Sequence, residues 1–203
     1  MLSIPEQYTS LTPLGPISWE EAFDIWRELE ARQDSWKQHW TERGFDSWDE
    51  WRTAYVAPFH PETLSWRLFR IADPIRDLPS FYGTPTKAWI EKAYEGETTR
   101  QLKDIAQLPV ITENKKILDI KRGFPENTLL IGIIHDGKIV LIEGMHRASA
   151  LATWGSETPF PDQVNIALAE WNNSIPAIGG NYKTKYIPDS PRSNDELPVE
   201  YSP

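Results

Sequence analysis

The first third of the chain has the apolar spacing of an amphipathic helix. Large side chains recur at intervals of three and four residues and share one helical face, beside charged positions. They are Trp19, Phe23, Trp26 and Leu29. The pattern predicts a helix over about 19–32.

Three short motifs predict where helices begin. A serine followed three residues later by glutamate or glutamine occurs at Ser18, Ser35 and Ser47. Such a serine accepts a hydrogen bond from an amide of the first helical turn, and the later side chain bonds back to the serine amide. Gly44 follows the second helix as a C-terminal cap, and two prolines end the third. The predicted helices cover about 19–32, 36–43 and 48–56.

The remainder of the chain mixes short strands with helices. A β-prone alternation predicts a strand over 64–71, the first of the core domain. Two apolar runs are joined by His135-Asp136-Gly137-Lys138, whose Asp-Gly pair favours a hairpin turn. The other predicted elements are helices within 86–107, over 113–121 and over 145–154, and strands over 129–134, 139–143 and 164–171.

These elements predict an α+β fold in three parts. A helical segment would occupy 1–60, a compact domain with a small mixed sheet 61–172, and a mostly irregular tail 173–203. The tail is rich in Asn, Gly, Pro, Ser and charge without periodicity, so we expect most of 186–203 to be disordered.

The composition of the chain limits the kinds of site and partner that it can have. The chain has no cysteine, which excludes disulfides, Cys-ligated metals and thiol catalysis. Its net charge of −9 disfavours sequence-independent binding of nucleic acid, although a local basic site stays open. No secretory signal or membrane-spanning run is evident, so we expect a cytoplasmic protein without a membrane partner. The ten tryptophans are expected mainly in the core.

The segment IVLIEGMHRASALATW, residues 139–154, carries the candidate chemistry. An apolar strand delivers Glu143 and Gly144 to a helix that begins at Met145, His146 and Arg147. Free amides at such a helix start favour an anion, and an arginine fork suits phosphate or carboxylate. The histidine could donate a hydrogen bond or move a proton, and the glutamate could bind a metal or accept a proton.

A purely structural interpretation fits the same residues. Glu143 could pair with Arg147, Gly144 could be required by the turn, and His146 could cap the helix. The residues alone leave both interpretations open.

The span 130–171 resembles the ParB/sulfiredoxin-like family, in which a hairpin precedes a Gly-x-His-Arg type motif that opens a helix. The resemblance would cover about 110 residues if the strand at 64–71 is the family's first strand. It implies that the turn and helix start bind the phosphate of a nucleotide, through Gly144, Met145, His146 and Arg147.

Departures from the family exclude its sulfiredoxin activity and argue against its partition activity. A sulfiredoxin needs a cysteine where this chain has Met145, and a partition ParB carries a helix-turn-helix domain for which too few residues follow. The branch that phosphorylates free serine has a similar motif, and it uses an early acidic residue as general base. Asp73 and Glu62 are the candidates for that role, and Glu143 is the candidate ligand for Mg²⁺.

The expected function is therefore binding of ATP or another nucleotide with Mg²⁺, with phosphoryl transfer to a small-molecule acceptor or nucleotide hydrolysis. Glu143, His146 and Asp73 would be catalytic. The alternative is a non-catalytic regulatory module on the same fold. Its junction would bind a nucleotide or a nucleic-acid phosphate as a regulatory signal, and its tryptophan-rich helices would bind a protein partner. Nuclease activity is a weaker third hypothesis, because the sequence lacks a cluster typical of two-metal cleavage.

Overall fold

The computed structural model describes residues 2–155, 160 and 163–183. Within them, five strands and nine α-helices form a mixed α+β fold, and this confirms the predicted fold class. The strands are β1 (Leu11–Pro16), β2 (Arg67–Ile71), β3 (Thr128–His135), β4 (Lys138–Glu143) and β5 (Val164–Glu170). The helices are α1 (Trp19–Glu30), α2 (Asp34–Glu42), α3 (Trp48–Val56), α4 (Pro74–Asp77), α5 (Lys87–Ala93), α6 (Leu102–Ile105), α7 (Pro109–Thr112), α8 (Lys115–Arg122) and α9 (Met145–Ala152).

The strands form one mixed sheet in the order β1-β2-β5-β3-β4. The predicted hairpin of β3 and β4 is present, and both Asp136 and Gly137 have positive φ, as an Asp-Gly turn requires. The chain then passes through α9 and returns as β5, parallel to β3. This strand-helix-strand connection places the start of α9 at one end of the central strands.

Helices cover both faces of this sheet. Nearly every residue of β3, β4 and β5 is buried, and alternate residues belong to two different apolar clusters. One cluster joins the sheet to the helices from α5 onward. The other, which we call the tryptophan cluster, joins it to α1, α2 and α3. Its buried tryptophans are Trp26, Trp36, Trp40, Trp48, Trp51, Trp66 and Trp171.

The N-terminal helices lie where the spacing predicted them, but one of the three caps does not form. Ser18 makes both bonds of the capping box with Glu21, and Ser47 accepts from the amide of Glu50. The cap predicted at Ser35 is wrong, because α2 already begins at Asp34 and its N-cap is Gln33.

The sequence pattern missed β1, the edge strand that pairs with β2. It contains Pro13, Gly15 and Pro16, which remove the usual strand signal, and its register shifts between Pro13 and Gly15. An edge strand tolerates proline because the backbone amides on its outer side form no hydrogen bonds within the sheet. The predicted strand over 64–71 is thus the second strand, and the first sixty residues contribute to the sheet as well as to the helices.

The last part of the described chain follows β5. Residues 173–183 continue from β5 without a helix or strand, and the predicted disorder over 186–203 falls outside the described residues. None of the helices in the described ranges is long and apolar enough to cross a membrane.

Candidate functional site

A cavity of about 520 Å³ lies where α9 begins. Its walls come from the tryptophan cluster on α1, α2 and α3, from α5 and α8, and from the junction between β4 and α9. The volume falls in the range of small-molecule sites. The structure thus brings Glu143, Gly144, Met145, His146 and Arg147 together at one cavity wall.

Glu143 and Arg147 form a buried ion pair at this junction. Arg147 Nη2 lies 2.5 Å from both Glu143 oxygens, and the two residues are only 7% and 8% exposed. Arg147 Nη1 is also buried but has no hydrogen-bond partner among the described residues. Since a buried donor without an acceptor is costly, this nitrogen is suited to an acceptor that enters from the cavity.

Burial raises the pKa of Glu143, while Arg147 acts in the opposite direction. Arg147 therefore favours the ionised form of this carboxyl, against the effect of burial. An anion that takes Arg147 away from Glu143 would raise that pKa further and favour protonation of the carboxyl.

The conformation of the turn explains why position 144 is a glycine. Gly144 is the N-cap of α9 with φ +94°, and a Cβ at this position would overlap the side chain of Leu130. This finding supports the structural interpretation of the glycine, because the missing side chain would face the core. The first turn of α9 has no side-chain cap within the described ranges, so its amides keep their capacity for an acceptor.

The side chains of His146 and Met145, at the start of α9, have different surroundings. Burial, with a smaller effect of Lys116 and Arg147, holds the pKa of His146 well below its usual value, so the ring is neutral near pH 7. Its Nε2 is buried and has no partner in the described part of the chain. Met145 is buried against Tyr94, with Sδ 3.9 Å from Tyr94 Oη.

A second buried ion pair forms part of the wall on the side of the N-terminal helices. Arg52 on α3 donates to Glu30 Oε2 on α1 through Nε at 3.0 Å and Nη2 at 2.6 Å. Trp48 Nε1 donates to the same oxygen at 3.2 Å. Four aromatic rings surround the Arg52 guanidinium at 3.8 to 5.0 Å, those of Trp26, Trp36, Trp51 and Tyr55.

Lys116 and His39 complete the polar part of the cavity. Lys116 Nζ lies 3.7 Å from the ring centroid of Trp36, and burial lowers the pKa of this lysine to about 8. Burial, helped by Arg43, Arg52 and Lys116, lowers the pKa of His39 to about 3.

The cavity is more positive than the molecule as a whole. Among the described residues that line it, six are lysine or arginine and three are glutamate or aspartate, whereas the chain has a net charge of −9. Trp26 Nε1, a group that can only donate, is buried without a partner among the described residues. The site therefore favours a ligand that is anionic and rich in acceptors.

Asp73 and Glu62, the predicted general bases, lie elsewhere. Asp73 accepts from the Arg76 amide as the N-cap of α4, and it lines a separate pocket together with Arg70. Glu62 is exposed in a 3₁₀ turn and lies 3.8 Å from His60 Nδ1. The structure does not bring either carboxylate to the junction.

Sequence reasoning missed Glu30, Arg52 and Lys116 as cavity residues. A signal was present in α1, because Glu30 follows Trp26 by four residues and so extends the apolar stripe with a carboxylate. Arg52 sits beside Trp51 on a helix that is otherwise apolar on that side. Lys116 belongs to a basic run that is typical of solvated surfaces.

No protein-family model, characterised protein or solved structure shows significant similarity to this chain. The resemblance to the ParB/sulfiredoxin-like family therefore rests on the motif at 143–147 and its hairpin, and it stays a prediction.

Proposed function

We propose that this protein binds a nucleotide, and that the ligand's phosphate is held at the start of α9 by Arg147. The observation that carries this function is the buried Arg147 Nη1, which lines a cavity richer in cations than in carboxylates and has no partner among the described residues. The cavity volume and the neutral donor at Trp26 Nε1 are compatible with a ligand of nucleotide size.

A catalytic step would need Glu143 to separate from Arg147. Both of its oxygens accept from Nη2, so the carboxylate is neither a free base nor an available Mg²⁺ ligand in this arrangement. In the described ranges, no group of three or more His, Asp or Glu side chains is arranged to hold a metal ion. Phosphoryl transfer, with Glu143 and His146 as catalytic groups and Mg²⁺ at Glu143, therefore remains a further hypothesis.

The position of Asp73 favours the second candidate, a regulatory module that binds the nucleotide without turning it over. Its carboxylate caps α4 in a separate pocket, so the predicted general base is not at the phosphate site. Recognition through exposed tryptophans has less support, because eight of the ten tryptophans are buried.

A ligand panel tests the binding function. The parent protein would be heated with ATP, ADP, CTP and GTP, each with and without Mg²⁺, and with adenosine as the phosphate-free control. A ligand at a hundred times its Kd stabilises the folded state by about 2.7 kcal/mol, which is a measurable shift in Tm. We expect a shift with at least one nucleotide and none with adenosine.

Arg147→Lys is the matched variant, because it keeps a positive charge beside Glu143 but removes the planar fork. We expect it to fold and to lose at least ten-fold in affinity. Arg122→Lys on the exposed end of α8 should bind like the parent. If no nucleotide shifts the Tm of the folded parent, the junction is structural and the proposed function is wrong. Turnover of ATP that Glu143→Gln abolishes, with affinity unchanged, would establish the catalytic hypothesis.

A further inference from the structure

Residues 178–183, which we call the strap, run along one side of the cavity. Gly179 and Gly180 line the cavity and are half-buried, so the strap forms an outer wall. A Cβ built on Gly179 would lie 3.7 Å from Thr86 Cβ, at the N-cap of α5, and 3.7 Å from Tyr55 Cε2 on α3. The strap therefore joins the wall formed by α5 to the wall formed by the N-terminal helices.

Ile178 fixes one end of the strap to the start of α5. Its amide donates to the Pro85 carbonyl at 2.9 Å, and its carbonyl accepts from the Lys87 amide at 3.0 Å. Its side chain is 2% exposed and belongs to the tryptophan cluster. Backbone hydrogen bonds beside a buried apolar side chain open rarely, so this end should stay in place when the remainder of the strap moves.

The other end of the strap is held by side chains near the surface. Asn181 Nδ2 donates to the Ala54 carbonyl at 2.7 Å. Lys183 Nζ lies 2.5 Å from Asp46 Oδ2 and 2.9 Å from Glu50 Oε1, and these carboxylate side chains are 85% and 39% exposed. Exposed ion pairs stabilise weakly and are screened by salt. This outer end should therefore detach more readily than the fixed end.

The other contacts of the outer end are also made by partly exposed groups. The Lys183 amide donates to the Arg43 carbonyl at 3.1 Å, and the Arg43 guanidinium carbon lies 5.6 Å from the Tyr182 ring centroid. Tyr182 is 43% exposed, while Arg43 and Lys183 are half-buried. Water can replace these contacts when the outer end lifts, at lower cost than for a buried group.

Two glycines connect the fixed end to the outer end. Gly179 and Gly180 have left-handed φ values of +82° and +69°. Adjacent glycines can change their backbone conformation with little steric cost, as residues at a hinge must.

We propose that the strap is a gate, which stays fixed at Ile178, swings at the two glycines, and admits a ligand to the cavity when the contacts of Asn181 and Lys183 release. The consequence for nucleotide binding rests on the proposed function, because the gate would control access to the phosphate site. The motion itself can be tested without a nucleotide.

An introduced thiol reports access to the cavity, because the chain has no cysteine. Thr84 lines the cavity, is 2% exposed, and has a hydroxyl without a partner among the described residues, so Thr84→Cys breaks no described side-chain hydrogen bond. Its rate of modification by N-ethylmaleimide, an uncharged reagent, measures how often the cavity opens. Ser65→Cys, at an exposed position, gives the rate of an accessible thiol. Ser149→Cys, 2% exposed on α9 and away from the cavity lining, reacts only when the fold opens more widely.

We expect Thr84→Cys to react at least about ten-fold more slowly than Ser65→Cys. Adding Lys183→Gln or Asn181→Ala should raise the rate of Thr84→Cys about five-fold. Salt at about 0.5 M should also raise this rate, but not when Lys183→Gln is present. Lys183→Arg, which keeps the charge, should stay within about two-fold of the parent. Lys37→Gln, the same charge change at an exposed position on α2, should have no effect.

Three results would overturn the gate. If Thr84→Cys reacts as fast as Ser65→Cys, the strap does not limit access to the cavity. If Lys183→Gln and Asn181→Ala leave the rate unchanged, the outer end does not release as proposed. If they accelerate Ser149→Cys as much as Thr84→Cys, they loosen the whole fold rather than the strap. Each of these results leaves nucleotide binding to its own ligand panel, so the two proposals can fail separately.

Discussion

His39 packs against the rings of Trp36 and Trp51, and its Nδ1 lies 3.0 Å from Arg43 Nη1. Burial lowers its pKa to about 3 in the folded protein, whereas an unfolded chain has a histidine pKa of about 6.5. Between these values the unfolded state binds the extra proton. Stability is therefore lost as the pH falls below 6.5, by about 2 kcal/mol for this group at pH 5.

Urea unfolding at pH 7 and pH 5 measures this effect. His39→Gln should reduce the loss of stability between the two pH values by about 2 kcal/mol, even if the variant is less stable at both. His60→Asn is the control, because His60 is exposed and has φ +45°, which asparagine tolerates. An unchanged difference in His39→Gln would mean that this imidazole is not buried in its neutral form.

Gly144 offers a second test at the scale of one residue. Gly144→Ala places a side chain at φ +94° and against Leu130, so we expect a loss of about 2–4 kcal/mol in the free energy of unfolding. Gly123→Ala, after α8, has ordinary φ and no atom within 4 Å of the added Cβ. It should stay within about 0.5 kcal/mol of the parent. Equal effects in the two variants would contradict the packing described at the junction.

At the scale of helices, the two serines Ser18 and Ser35 have the same local motif and different roles. Ser18→Ala removes a hydrogen bond to the amide of Glu21, and it should cost about 1 kcal/mol. Ser35→Ala should cost less than about 0.5 kcal/mol, because Ser35 lies inside α2 and is not its cap. Chemical denaturation distinguishes them, and an equal loss in both would place the start of α2 at Ser35.

Local signals predicted most of the elements. Gly44 ends α2 with φ +79° and donates to the carbonyl of Thr41, while Phe45 donates to that of Trp40, as expected for a glycine cap. The failure at Ser35 has a physical reason. Propensity allows α2 to begin two residues earlier than predicted, at Asp34, and packing of Trp36 and Trp40 decides its extent rather than the serine.

The candidate site could be predicted only where it is contiguous in sequence. The residues 143–147 follow one another, so the strand, the turn and the helix start could be read from local pattern. The opposite wall comes from α1, α3 and α8. Glu30, Arg52 and Lys116 come together there only when these helices are packed in the folded protein. Contacts between residues that are distant in sequence produce no regular spacing, so this wall could not be predicted from one sequence.

At the scale of the molecule, the sheet couples the two apolar clusters. Along β3, Ile131 and Ile133 face the tryptophan cluster, while Leu130 and Ile134 face the other cluster. Neither set of helices can be removed without exposing one apolar face of the same strands. Since exposed apolar surface is unfavourable by about 25 cal/mol per Å², the two layers should unfold together.

If the two layers unfold together, a substitution that destabilises one face of the sheet should also lower the unfolding midpoint measured on the other face. Leu151 on α9 is fully buried in the cluster opposite the tryptophan cluster, and Leu151→Ala should cost about 2–5 kcal/mol. Tryptophan fluorescence reports mainly on the tryptophan cluster, which contains seven of the ten tryptophans. The urea midpoint by fluorescence should nevertheless fall in this variant and coincide with the midpoint by far-UV circular dichroism. If the fluorescence midpoint stays with the parent while the dichroism transition splits, the N-terminal helices form an independent unit, and the cavity walls belong to two bodies rather than one.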